Sequence, residues 1–172
     1  MSLLVLTTGG SMDKTYCGKA SDFIVGNPMS SPIFEHAHVT SPVRSVEICR
    51  KDSLALTDED RESCRLECEL STETKIIITH GTDTMWKTAH SVNESAKRQK
   101  KTVVLCGAMM PAAFAHSDSQ FNLGFATAAV QMLPPGAHVV MNGEIFSDPL
   151  KIYKDYDRNI FYAGEKDRNP NE

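Results

Sequence analysis

Short, wholly apolar runs alternate along the chain with longer stretches whose apolar residues recur at helical spacing. Leu3-Leu4-Val5-Leu6 is continuous and ends in Thr7-Thr8-Gly9-Gly10, which predicts a buried strand opening into a glycine loop. Residues 11–42 are rich in Ser, Gly and Pro and keep no period, so loop with short pieces of structure is expected there. Ser45-Val46-Glu47-Ile48-Cys49 alternates as a strand does, and Thr57-Asp58-Glu59-Asp60 then supplies a hydroxyl and an acidic first turn for a helix running to about Leu70. Lys75 to Thr79 predicts the next strand. From Asp83 onward, Met85, Trp86, Ala89, Val92 and Ala96 fall on one face of a helix. Thr102 to Cys106 is a further strand. Phe121, Leu123, Phe125, Ala126, Ala129, Val130 and Leu133 mark a helix that stops at Pro134-Pro135-Gly136, and Ala137 to Met141 gives one more strand.

Strands alternating with helices predict an α/β fold of three layers, Rossmann-like, with a mostly parallel sheet covered by helices on both faces. Ligands of such sheets bind outside the carboxyl ends of the strands. Three polar loops belong at that edge: residues 7–14 (TTGGSMDK), 79–85 (THGTDTM) and 107–111 (GAMMP). The expected organisation is one α/β domain over residues 1–156, followed by a polar carboxyl-terminal tail over 157–172. No internal repeat or shift in composition divides the chain further.

Charge and cysteine content narrow the function classes. A net charge of -4 and a pI near 5.9 argue against nucleic acid as a partner, because phosphate contacts need a basic face. Lys97-Arg98-Gln99-Lys100-Lys101 is the one basic cluster, and it sits where cations favour the end of the preceding helix. Cysteines 17, 49, 64, 68 and 106 are odd in number and unpaired in spacing, which suits reduced thiols in the cytoplasm. No apolar run approaches the ~18 residues of a membrane span, and the amino terminus lacks a signal-peptide pattern, so no membrane partner is expected.

The segment THGTDTM carries more polar chemistry than a turn requires. Thr82 and Asp83 have two readings: caps of the helix that follows, or a hydroxyl and carboxylate that a lysine completes into a proton relay. Gly9-Gly10-Ser11 sets a second hydroxyl after two residues that let backbone approach a ligand closely. A hydroxyl nucleophile needs a nearby base and donors for the oxyanion it creates. Metal chemistry is not expected, since Cys64-x3-Cys68 and His36-x-His38 each lack a second ligand pair. His80 and His116 are pocket candidates, and a lone histidine beside a strand end more often bonds its own loop.

Taken together, TTGGSM, KDSLALT, THGTDTM, GAMMP with Phe121-Asn122, and VVMNG resemble the bacterial-type L-asparaginase family, in the same order and at similar spacing across nearly the whole chain. The resemblance is to that family's amino-terminal domain alone. It implies an amidohydrolase that releases ammonia from a small carboxamide, asparagine first, without metal or organic cofactor. By position, Ser11 stands where the family has a threonine nucleophile, and Tyr16 stands in for the tyrosine that activates it. Thr82 and Asp83 match the second catalytic threonine and its aspartate, and Lys154 resembles the catalytic lysine. Lys151 is its rival, because the register shifts by one residue after VVMNG. Gly10, Ser53, Gly81 and Ala108 are the implied substrate-binding positions.

Three departures accompany the resemblance. Ser11 lacks the methyl group that restricts a threonine's χ1, Leu54 replaces a polar contact, and the family's second domain has no counterpart in the sequence. The implied partners are a small-molecule amide or amino acid and further copies of the chain, as a homo-oligomer (dimer or tetramer). The alternative function is a noncatalytic amino-acid-binding or regulatory domain. An amidotransferase component acting on aminoacyl-tRNA ranks last, for want of a basic surface.

Overall fold

Strand β1 (Leu3–Gly9) is buried at every residue. A strand without a polar face belongs inside a sheet covered on both sides, and the rest of the chain supplies that cover. The computed structural model describes residues 2–164. After β1 come a hairpin of β2 (Lys14–Cys17) and β3 (Asp22–Val25), the short helix α1 (Ser30–His36) and strand β4 (Val43–Lys51). Then follow α2 (Asp58–Leu70), β5 (Lys75–Thr79), α3 (Met85–Arg98), β6 (Thr102–Cys106), α4 (Ser119–Met132), β7 (Gly136–Met141) and β8 (Glu144–Phe146). A second hairpin, β9 (Ile152–Asp155) and β10 (Ile160–Ala163), ends the described chain.

Six strands form one sheet in the order β4-β1-β5-β6-β7-β8. The first five run parallel, and β8 returns antiparallel along β7. Alternation along each strand sorts the core into two layers. Leu4, Leu6, Ile76, Ile78, Val103 and Leu105 pack with Cys64 and Cys68 of α2 and Met85, Ala89 and Val92 of α3. On the other face Leu3, Val5, Ile77, Val104 and Cys106 pack with Ile33 and Phe34 of α1 and Leu123, Ala126 and Val130 of α4. The fold is therefore the expected three-layer α/β arrangement.

Helix α2 is closed at both ends. Thr57 accepts from the Asp60 amide while the Asp60 carboxylate accepts from the Thr57 amide, so two otherwise unpaired donors are satisfied together. At the far end the buried Lys101 ammonium donates to the carbonyls of Cys68 (2.6 Å), Glu69 (3.1 Å) and Ser71 (2.6 Å). A cation there satisfies carbonyls that have no partner within the helix and complements its dipole. No helix among the described residues is long and apolar enough to cross a membrane.

The expected polar tail from residue 157 gives way to structure. Ile160–Ala163 pairs antiparallel with β9, and Phe161 is 4% exposed and packs beside Phe146. The polar residues before it form the turn: the Asp155 carboxylate accepts from the amides of Asp157 and Arg158, and Asn159 takes a positive φ of 52°. The domain thus continues past residue 156, and the remainder of the expected tail, 165–172, lies outside the described residues.

Candidate functional site

Parallel pairing of β1 and β5 sets Thr7 opposite Thr79, so both strands deliver their following loops to one edge. The loops meet at glycine. Gly10 has φ +88°, and a Cβ on it would lie 2.4 Å from the Gly81 Cα; a Cβ on Gly81 would lie 2.6 Å from the Ser53 Cβ. Three segments distant in sequence therefore close on one another only because two of their residues lack side chains. A third loop joins them, since a Cβ on Gly107 would fall 2.3 Å from the His80 carbonyl.

His80 locks this junction. Its ring is fully buried, with Nδ1 2.8 Å from the Gly81 carbonyl and Nε2 2.7 Å from the Thr88 hydroxyl. A carbonyl only accepts, so Nδ1 carries the proton and Nε2 accepts from Thr88. Burial pushes the imidazole pKa down to about 4, which keeps the ring neutral. His80 thus bonds its own loop and the first turns of α3.

Thr82 and Asp83 do not cap α3. The N-cap position is Thr84, which makes no side-chain cap bond; its hydroxyl donates to the Ser53 carbonyl at 2.7 Å. Thr82 and Asp83 instead face a lysine. Lys154, on β9, places Nζ 2.8 Å from Thr82 Oγ1 and 2.6 Å from Asp83 Oδ1. Ser53 supports the pair by accepting from the Asp83 amide at 3.3 Å. The Tyr156 ring lies 4.6 Å from Lys154 Nζ, and burial, then the Asp83 carboxylate, raise the phenol above its usual pKa. Lys151 sits elsewhere: its side chain is 68% exposed and its nearest acid is Asp148, at 3.9 Å.

Other predicted positions lie around this cluster without joining it. Ser11 is half-buried at the start of a 3-10 turn, held against the Gly81 loop through Gly10, and its hydroxyl has no hydrogen-bond partner among the described residues. Tyr16 is 60% exposed on β2, its ring packed edge-on to Phe23 at 5.7 Å. Ala108, expected to touch substrate, is wholly enclosed in the core with Met12 and Ala112. It offers a ligand no exposed atom, because the 107–111 loop turns inward at that residue.

Several contributors were not assigned a role from the sequence. The Asp118 carboxylate accepts from the amides of Met109 (3.0 Å) and Met110 (3.0 Å), and Asn122 Nδ2 donates to the Gly107 carbonyl at 3.0 Å. Together they pin the 107–111 loop. Asp13, two residues after Ser11, is 2% exposed; its carboxylate accepts from the Met29 amide at 2.8 Å, and burial lifts its pKa to about 6. Beside Thr82, Asp83 and Lys154 opens a cavity of about 550 Å³, walled by Trp86 and by aromatic side chains of the β9–β10 hairpin. Ser11, Tyr16, Ser53 and Ala108 do not line it.

A parallel sheet whose strand-end loops meet glycine to glycine, with a lysine crossing from a late hairpin to a Thr-Asp pair, defines a class of α/β domain with a hydroxyl–carboxylate–amine site at its carboxyl edge. Residues 2–153 match the family model described as Asparaginase, N-terminal. The chain belongs to the asparaginase family and corresponds to its N-terminal domain.

Solved structures agree on the fold. The thermostable L-asparaginase from Thermococcus kodakarensis superposes with a TM-score of 0.80 at 25% identity, over 95% of this chain and 51% of its own. A probable cytoplasmic L-asparaginase from Campylobacter jejuni gives 0.76 at 25% identity, over 94% and 51%. L-asparaginase I from Vibrio cholerae O1 biovar eltor str. N16961 gives 0.81 at 20%, over 95% and 51%. The chain spans about half the length of each.

Proposed function

We propose that this domain is an amidohydrolase that releases ammonia from a carboxamide, with asparagine, for which the similar L-asparaginases are named, as the first candidate. The observation that carries the reading is the sharing of one amine, Lys154 Nζ, between the Thr82 hydroxyl and the Asp83 carboxylate. In its neutral form that amine takes a proton from the hydroxyl, and Asp83 stabilises the ammonium that results. In this scheme Ser11 Oγ attacks the amide carbonyl and its proton passes through Thr82 to Lys154. The ammonium returns the proton to the departing nitrogen as the C–N bond breaks, and ammonia leaves. Water then cleaves the seryl ester by the same relay and frees the acid. Tyr16 assists once the β2–β3 hairpin brings its phenol to Ser11. The steps use side chains alone.

The cytoplasm and a homo-oligomeric state belong to the same reading. All five cysteines are free thiols, which suits a reducing compartment, and closed symmetric assemblies are the rule among soluble oligomers. Ammonia release from a panel of amides by the native protein and by Thr82→Ala tests the site, and equal rates in the two would sink it.

The Ser11 hydroxyl, without a hydrogen-bond partner among the described residues, and the outward Tyr16 support a second reading, a binding or regulatory domain without turnover. That domain is stabilised against heat by aspartate or asparagine and releases no ammonia at any enzyme concentration.

A further inference from the structure

Helices α1 and α4 cover one face of the sheet but do not close on each other, and between them lies a second cavity, of about 390 Å³. It shares no lining residue with the cavity beside Lys154. Met29, Ile33, Phe34 and Val39 wall it from α1 and its flanks, and Gly124 and Thr127 wall it from α4. A Cβ on Gly124 would meet no other atom within 4 Å, so the helix leaves space there instead of filling it. His36, Gln120 and Thr127 supply the polar side chains of the lining, and none of the lining residues is an acid, a lysine or an arginine. An ionised group would therefore meet no permanently charged partner, and burying it would be costly. An apolar hollow holds water poorly and takes small apolar molecules. Its volume falls in the range of pockets that enclose compact organic ligands, and its surface is far short of the roughly 800 Å² that each partner buries in a stable dimer.

Two residues of the lining also hold the turn that carries Ser11. The Met29 amide donates to the Asp13 carboxylate at 2.8 Å, and the Ala112 amide donates to the Met12 carbonyl at 3.0 Å. Met12 and Asp13 follow Ser11 in one 3-10 turn, and both are buried. A molecule packed between α1 and α4 thus braces the supports of that turn. We propose that the α1–α4 cavity is a binding site for a small uncharged molecule with an aromatic or aliphatic body and a single hydrogen-bonding group, and that its occupancy steadies the Ser11 turn. The site does not depend on the amidohydrolase reading, because both binding and bracing are read without turnover.

Calorimetric titration of the native protein with 1-naphthol tests the site, and 1-naphthalenesulfonate offers the same rings with a charge. Saturation by 1-naphthol is expected at or below about 1 mM, with the sulfonate about tenfold or more weaker. Gly124→Leu fills the hollow, whereas Gly124→Ala alters the helix and leaves most of the space; the open surroundings of this position let both variants fold. The Kd for 1-naphthol is expected to rise about tenfold or more in Gly124→Leu and to stay within about twofold in Gly124→Ala. The Asp13 amide bonds the Gly10 carbonyl and the Gly26 amide bonds the Asp13 carbonyl, and none of these residues lines the cavity. With 1-naphthol bound, both amides are expected to exchange hydrogen about twofold or more slowly by NMR. No saturable heat, equal affinity for the two compounds, or unchanged affinity in Gly124→Leu would overturn the site. Binding that leaves the Asp13 and Gly26 amides unchanged would overturn its link to Ser11. A fall in sedimenting mass on adding 1-naphthol would give the hollow to a second copy of the chain and overturn the small-molecule reading.

Discussion

Lys154 lies 71 residues beyond Asp83 in the chain, yet its Nζ rests 2.6 Å from the Asp83 carboxylate. The β9–β10 hairpin makes the approach, and Lys151, on the preceding 3-10 turn, points into solvent. Lys154→Met is therefore expected to lower ammonia release about 100-fold or more, the scale of a lost acid-base group. Lys151→Met is expected to stay within about twofold of the native rate, because an exposed ion pair contributes little. Steady-state ammonia assays on the two variants check both.

The contact between Gly10 and Gly81 makes a stability prediction. Gly10→Ala forces a Cβ to within 2.4 Å of backbone at φ +88° and is expected to cost about 2 kcal/mol or more. Gly124, in the middle of α4, has open space where its Cβ would stand. Gly124→Ala is expected to stabilise by about 0.5–1 kcal/mol. Urea denaturation of the pair reads the opposite signs directly.

Removing the Lys101 amine leaves the Cys68, Glu69 and Ser71 carbonyls at the end of α2 without that donor. Lys101→Met keeps the length of the stem, and a loss of roughly 2–3 kcal/mol is expected from unsatisfied buried acceptors. The urea midpoint should fall with an unchanged slope, the mark of altered stability rather than altered compactness.

Acid acts on two buried groups in opposite directions. Burial raises Asp13 from 3.8 to about 6, so the folded protein holds this proton more tightly than the unfolded chain. Its contribution to stability is fully present below about 3.8 and is lost as pH rises through about 6. His80 is depressed from 6.5 to about 4, so its contribution is present above about 6.5 and is lost as pH falls through about 4. Asp13→Asn keeps an oxygen for the Met29 amide and removes the charge. Its melting temperature is expected to exceed the native one at pH 7.5 and to match it near pH 4, as thermal unfolding at the two pH values will show.

Much of the fold is legible in the chain because burial on both faces writes unbroken apolar runs. Leu3 to Leu6, Lys75 to Thr79 and Thr102 to Cys106 are strands in the sequence and in the structure. Strands β8, β9 and β10 are three or four residues long and flanked by polar turns, so Ile160-Phe161-Tyr162 looks like a brief apolar interruption of a tail until the pairing of Phe161 with Lys154 is visible. At the site, Thr82 and Asp83 stand out because a turn does not need them. The choice between Lys154 and Lys151 depends on which way a hairpin faces, and short-range spacing does not encode that. Asp118 is harder still: nothing in its spacing indicates that its carboxylate turns away from α4 to the Met109 and Met110 amides.

The late position of β9 bears on the order of synthesis. Thr82 and Asp83 leave the ribosome with β1, β4 and β5 already available to pair, but the amine between them belongs to a segment made some seventy residues afterwards. A nascent polypeptide can therefore bury most of its sheet while its hydroxyl–carboxylate pair stays without the lysine, and any chemistry that needs all three groups begins only when translation has passed residue 154.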